Sequence, residues 1–173
     1  MVPVKSTSTL TLLVAAILAG VLGGIYGFYQ VTHGHALPVA HPSSLATMPA
    51  IGIVLAGLAY PIYRYRKQSV EFAKAAGTEG AARIARPKRL DPFYAVRVLL
   101  LAKATSVAGA AIAGFHIGLV LLQLTAPVVV SAVWLNVAGV AGSVFALVVG
   151  VVVERICKIP DSGVEATNGE AAA

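Results

Sequence analysis

Tyr63 to Arg97, YRYRKQSVEFAKAAGTEGAARIARPKRLDPFYAVR, is the stretch from which the fold can be read. It holds nine of the thirteen Lys and Arg residues (Arg64, Arg66, Lys67, Lys74, Arg83, Arg86, Lys88, Arg89 and Arg97), and a long apolar half stands on each side of it. Basic residues beside apolar spans stay on the cytoplasmic side during insertion. The segment therefore sets the expected orientation of the whole chain, which reads as a small polytopic membrane protein. Composition points the same way: 58% of residues are hydrophobic and 12% charged, against roughly 25% charged in a soluble domain. The net charge of +6 is no sign of nucleic-acid binding. Most of it borders apolar spans, where each Lys or Arg meets anionic head groups at about 1 kcal/mol. Cys157 is the single cysteine, so no intrachain disulfide can form.

Working outward toward the N-terminus, Leu45 to Ile62 reads as a span. Pro49 lies near its start, so its helix could begin nearer Met48, and Tyr60, Pro61 and Tyr63 mark an interface. Gln30 to Ser44, QVTHGHALPVAHPSS, has no Lys, Arg, Asp or Glu. Pro38 and Pro42 favour an irregular outer loop there. Leu10 to Tyr29 is a charge-free run long enough to cross a core of about 30 Å. It exceeds the apolar core of a signal peptide, so a retained anchor is expected.

Toward the C-terminus, the basic segment is expected to continue as helix through about Ala76 and to break at Gly77-Thr78-Glu79-Gly80. Asp91-Pro92 is a helix start: Asp accepts from free N–H groups, and Pro suits the first helical position. Val98 to Leu124 forms a third apolar run. A very short turn through Gln123, Thr125 and Pro127 leads to a fourth, Val128 to Val153. Pro160 to Ala173 is small and acidic, with the composition of a disordered cytoplasmic tail. The expected architecture is all-α: four transmembrane helices in a domain over 1–159, a basic cytoplasmic loop over 63–97, and both termini inside. The expected location is the inner (plasma) membrane.

At RLDPFYAVRVLLLAKATSVAGAAIAGFHIGLVL (89–121) and VVERICKIP (152–160), the chain resembles a family of small actinobacterial membrane proteins catalogued as a domain of unknown function. Its members are commonly encoded near folate-biosynthesis enzymes. The most specific parts are the Asp91-Pro92 cap, Arg97 with Leu101-Ala102-Lys103-Ala104, and Glu154-Arg155 with Cys157 and Pro160. The resemblance implies a four-span inner-membrane protein and supplies no activity and no catalytic residue.

Several residues could carry chemistry. Lys103 lies at the inner boundary of the third span, where it can snorkel to head groups; the alternative is a pair with Glu154 inside the bundle. Arg83, Arg86, Lys88 and Arg89 crowd just before the Asp91 cap, and with Lys103 they form a candidate site for anionic lipids. His116 and Asn136, each ten residues from Ala126, should match in depth and form an intramembrane hydrogen-bonded pair. His33, His35 and His41 have no acidic neighbour, so a polar loop is expected rather than a metal site.

Packing gives the strongest pattern. Gly20, Gly24 and Gly27 form a small face on the first span. Ala102, Ser106, Ala110, Gly114 and Gly118 recur at every fourth position of the third, and Ala138, Gly142, Ala146 and Gly150 do so in the fourth. Small residues let helices approach closely in lipid, and the third and fourth rows are expected to meet each other. The chain has no nucleophile elbow, P-loop, metal-protease helix or dinucleotide fingerprint. The expectation is a protein without cofactor or metal that binds anionic lipids and either a membrane-protein partner or further copies of itself. A non-catalytic accessory or scaffold role fits first, and a small oligomeric transporter or lipid-handling protein second.

Overall fold

The computed structural model describes residues 7–75, 91–125 and 133–157. They form four helices: α1 (Thr9–Thr32), α2 (Pro42–Ala75), α3 (Pro92–Thr125) and α4 (Val133–Cys157). Each is long and apolar enough to cross a membrane. Even α1, with 24 residues, reaches about 36 Å at 1.5 Å per residue. The basic cluster Arg83, Arg86, Lys88 and Arg89, the α3–α4 turn and the acidic tail lie outside the described residues.

Local chemistry sets the helix starts. Ser8 caps α1 by accepting from the Leu10 N–H. Asp91 Oδ1 accepts from the Phe93 N–H at 2.9 Å and opens α3, as the sequence suggests. α2 begins at Pro42, earlier than expected. His41 makes this possible: its ring nitrogen Nδ1 accepts from the Ser43 N–H, and its carbonyl accepts from the Ser44 N–H and hydroxyl. Pro42 occupies the first turn, where a missing N–H costs nothing. Pro49 and Pro61 lie inside α2. Pro49 cannot donate to the Leu45 carbonyl, and that oxygen faces Gly142 of α4.

The helices do not close into a ring. α3 is central, with α1 on one flank and α4 on the other; α2 packs on α4 and to a smaller extent on α3. Among the described residues α1 packs on no helix but α3. α1 and α3 run parallel, because Ala16 meets Gly114 and Gly27 meets Leu119 and Leu122. α4 runs antiparallel to α3, with Gly139 against His116 and Gly150 against Ala102 and Ser106. Near the basic side, Leu55, Ala59, Ile62, Val98, Ala102 and Val153 form a shared buried cluster.

The two small rows do not meet along their length. Ser106 faces Gly150, but Gly114 and Gly118 lie against Ala16 and Gly20 of α1, while Gly142 lies against Pro49 of α2. Helix geometry accounts for the correction. Four residues advance about 400° around a 3.6-residue helix, so each step drifts about 40°. From Ala102 to Gly118 the drift reaches about 160°, which carries the row from the α4 flank of α3 to its α1 flank. One row therefore serves two seams.

Candidate functional site

The α1–α3 seam is built from backbone. A side chain on Gly23 would strike the Phe115 backbone, one on Gly114 the Ala16 carbonyl, and one on Gly118 the Gly20 carbonyl. A Cβ on Gly20 would lie 3.2 Å from the Gly114 oxygen. The expected first-span row Gly20, Gly24 and Gly27 enters the seam, Gly24 through its backbone nitrogen, 2.9 Å from where a Cβ on Gly118 would lie, and Gly23 joins them. Gly24 has open space within 4 Å of its Cβ direction. It lines an apolar groove with Gly20, Val21, Ile117, Gly118 and Leu121.

The α3–α4 seam adds buried polar groups. Ser106 and Ser143 are fully buried and bond to carbonyls of their own helices, Lys103 and Gly139, so they pack as small residues. Ala110 and Ala146 are also buried. At the histidine side, Asn136 has every end of its amide engaged. Its Oδ1 accepts from the Ala40 N–H at 2.9 Å, and its Nδ2 donates to the Pro38 carbonyl and to Gln123 Oε1, both at 3.1 Å. Gln123 Nε2 donates to the same Pro38 carbonyl at 3.2 Å. The loop before α2 is thereby clasped to α3 and α4 through two side chains with no exposed surface.

Matching depths across the turn pairs Asn136 with His116 and leaves Gln123 without a role; in the structure Gln123 is its side-chain partner. Asn136 lies in the first described turn of α4, opposite Gln123 in the last described turn of α3. His116 and Asn136 are brought near each other, but the three amide bonds go to the loop and to Gln123. The His116 ring instead presses on Gly139, whose Cβ would lie 3.0 Å from Nε2, and its buried Nδ1 has no hydrogen-bond partner. A buried polar loop with Pro38 carries no charge signal, so only the depth of Gln123 could have pointed to the clasp.

On the basic side, Glu154 is 4% exposed. Its Oε1 accepts from the Thr7 N–H at 2.7 Å and ties the start of α1 to α4. Lys103 is half-buried and engaged in an interaction. Arg66 of α2 donates through Nη1 to the Arg155 and Ile156 carbonyls, both at 3.2 Å. They lie in the last described turn of α4, and the Ile156 carbonyl can receive no helical bond from residue 160, because Pro160 has no N–H. Tyr94 donates to the Leu58 carbonyl at 2.7 Å and joins α3 to α2.

His33 stacks on Tyr29 and bonds its carbonyl, and His33, His35 and His41 are exposed. Among the described residues no three His, Cys, Asp or Glu side chains converge as a metal site would require.

Four apolar helices, joined by small-residue seams and clasped at both ends, define a multi-pass membrane protein. The chain belongs to the family described as protein of unknown function (DUF3180), which it matches over residues 12–161. No curated protein matches it, and neither does any solved structure.

Proposed function

We propose that the protein is a non-catalytic accessory subunit of a membrane or envelope system, which engages another membrane protein along the free flank of α1. The observation that carries this reading is the asymmetry of α1. It leans on α3 alone, and Gly24 opens a groove of about 650 Å³ beside the seam. A glycine with empty space before it, on a helix held from one side, is where a second helix can approach closely. The polar side chains support the reading too, since Gln123, Asn136 and Arg66 hold the fold together rather than line a path.

Gly24→Leu tests it. Its Cβ meets nothing within 4 Å and the rest of the side chain extends into the groove, so thermal stability in detergent should be unchanged. Affinity purification in mild detergent with mass spectrometry should recover a stoichiometric partner with the native chain and lose it with Gly24→Leu. A native chain that purifies without one, or a partner retained by the variant, refutes the reading.

A second reading, a small oligomeric transporter or lipid-handling protein, is favoured by the unpartnered Nδ1 of His116 at mid-bundle. Vesicles containing the purified chain alone should then move solute or lipid across the bilayer, and His116→Leu should abolish the movement.

Both termini are proposed to be cytoplasmic, from the basic central segment against outer loops without Lys or Arg. In a chain with Cys157→Ser, an impermeant thiol reagent on intact cells should label a Cys placed at Ser43 and spare one placed at Gln68. The opposite labelling reverses the topology.

A further inference from the structure

On the flank opposite α1, two depressions adjoin at the basic end of α2 and α4. The first is an apolar groove between the helices, lined by Ala56, Tyr60, Val149, Val152 and Val153 among others. The second is a pocket of about 430 Å³ that carries Arg66, Lys67 and Glu71. Tyr63 and Ile156 line both, so the polar pocket and the apolar groove adjoin at these two side chains.

The order of residues along α2 matches the layers of a bilayer. Ala56 and Ala59 lie at acyl-chain depth. Tyr60 and Tyr63 are exposed at the level where aromatic side chains meet head groups. Arg66 and Lys67 follow one turn further out, at the level of lipid phosphates. Arg66 is held in place, because its Nη1 is fixed to the Arg155 and Ile156 carbonyls. Among the described residues, Nε and Nη2 are the donors left to a phosphate, which a guanidinium receives in a planar fork. Glu71 is the acidic member of the pocket, and it stands one turn beyond Lys67, about 6 Å farther from the apolar groove. A ligand that reaches from the groove to Arg66 meets the two cations before the carboxylate.

We propose that these two adjoining depressions form a binding site for one anionic phospholipid, its phosphate on Arg66 and Lys67 beside Tyr63 and an acyl chain in the α2–α4 groove. The charge of the pocket selects the head group, and the groove requires a chain attached to it. The site is separate from the α1 flank and does not depend on what α1 engages. An anionic lipid seated here would bridge the C-terminal end of α4 to the extension of α2, reinforcing the cap that Arg66 already makes.

The test uses the full chain in mild detergent, titrated with phosphatidylglycerol or phosphatidylcholine of identical acyl chains and read by native mass spectrometry. The native chain should retain phosphatidylglycerol at least about fivefold better than phosphatidylcholine. Lys67→Glu should lower phosphatidylglycerol retention about fivefold or more and leave phosphatidylcholine unchanged. Ala56→Trp, at an exposed position in the groove, should lower retention of both lipids without changing the unfolding temperature. If that temperature falls, Ala56→Leu is read in its place, because it adds less bulk at the same position. Arg66 is left intact, since its loss would also uncap α4. Equal retention of the two lipids by the native chain overturns the proposal. So does phosphatidylglycerol retention that responds to Lys67→Glu and ignores the groove substitution, which would mark a diffuse charge attraction.

Discussion

The two flanks of α3 are held in different ways. Toward α1 the contact is glycine against backbone, with Gly23, Gly114 and Gly118 each admitting a main-chain segment where a side chain would stand. Toward α4 the contact combines small residues with buried amides, since Gln123 and Asn136 join both helices to the loop at Pro38 and Ala40. Lipid offers no hydrophobic drive for helix association, so each seam depends on dispersion at close range and on hydrogen bonds that water cannot contest. The α1 seam has the first of these along its length, and its hydrogen bond to α4 comes at the end, from Thr7 to Glu154. The α4 seam has both. α1 is therefore the separable element of the fold, and α2–α3–α4 its fixed part.

The largest test of that difference is Gly114→Leu. The new side chain would land on the Ala16 carbonyl, and backbone cannot yield as a flexible side chain can. Overpacking of this kind costs about 1–3 kcal/mol. In detergent the unfolding temperature should fall, and hydrogen exchange should accelerate across α1 while α4 keeps its protection. Acceleration shared equally by α1 and α4 would mean that the flanks are not independent.

Asn136→Leu should act on the other side and more weakly. It removes three hydrogen bonds and leaves the Ala40 N–H without its acceptor. Bonds between membrane helices average about 0.6 kcal/mol each, so a loss of about 2 kcal/mol is expected. Exchange and protease cleavage should rise in the segment from Leu37 to His41, with α1 undisturbed. A loop that stays protected in the variant would show that Pro38 and Ala40 are held by something other than the amide.

These seams were partly legible in the sequence. The four apolar helices and the Asp91 cap follow from rules that act locally: run length, charge and the chemistry of an N-terminus. The partners of Gly114 and Gly142 do not. A row at every fourth residue looks like one stripe on paper, but it winds about the helix by about 40° per step, so the spacing cannot say which neighbour each member meets. Asn136 shows a second limit. Matched depth pairs it with His116, whereas its amide bonds reach Gln123 and the loop at Pro38 and Ala40, a choice that depth alone does not decide. Gly24 keeps the row's spacing and its backbone does meet Gly118, but its own Cβ direction is open, and Gly23 adds a contact with Phe115 that the row does not contain.

The smallest expected effect sharpens the comparison at a single atom on the α4 side. His116 sits where the α3–α4 seam could hold a polar pair, yet its buried Nδ1 has no partner and its ring rests on Gly139 and edge-on near Phe115. A buried polar group without a partner costs about 1–3 kcal/mol, and the packing of the ring offsets that cost. His116→Leu removes the orphaned nitrogen and keeps most of the bulk. Its unfolding temperature should therefore equal or slightly exceed that of the native chain. Gly139→Ala provides the contrast: the added methyl would press on the ring at about 3.0 Å, and stability should fall modestly while the ring is present. In the double variant Gly139→Ala/His116→Leu, part of that loss should return, because a leucine can turn away where an imidazole plane cannot. A clear loss of stability in His116→Leu alone would show that the imidazole contributes a hydrogen bond to the seam. The α4 flank would then hold a third polar tie at mid-depth, where the α1 flank has only glycine.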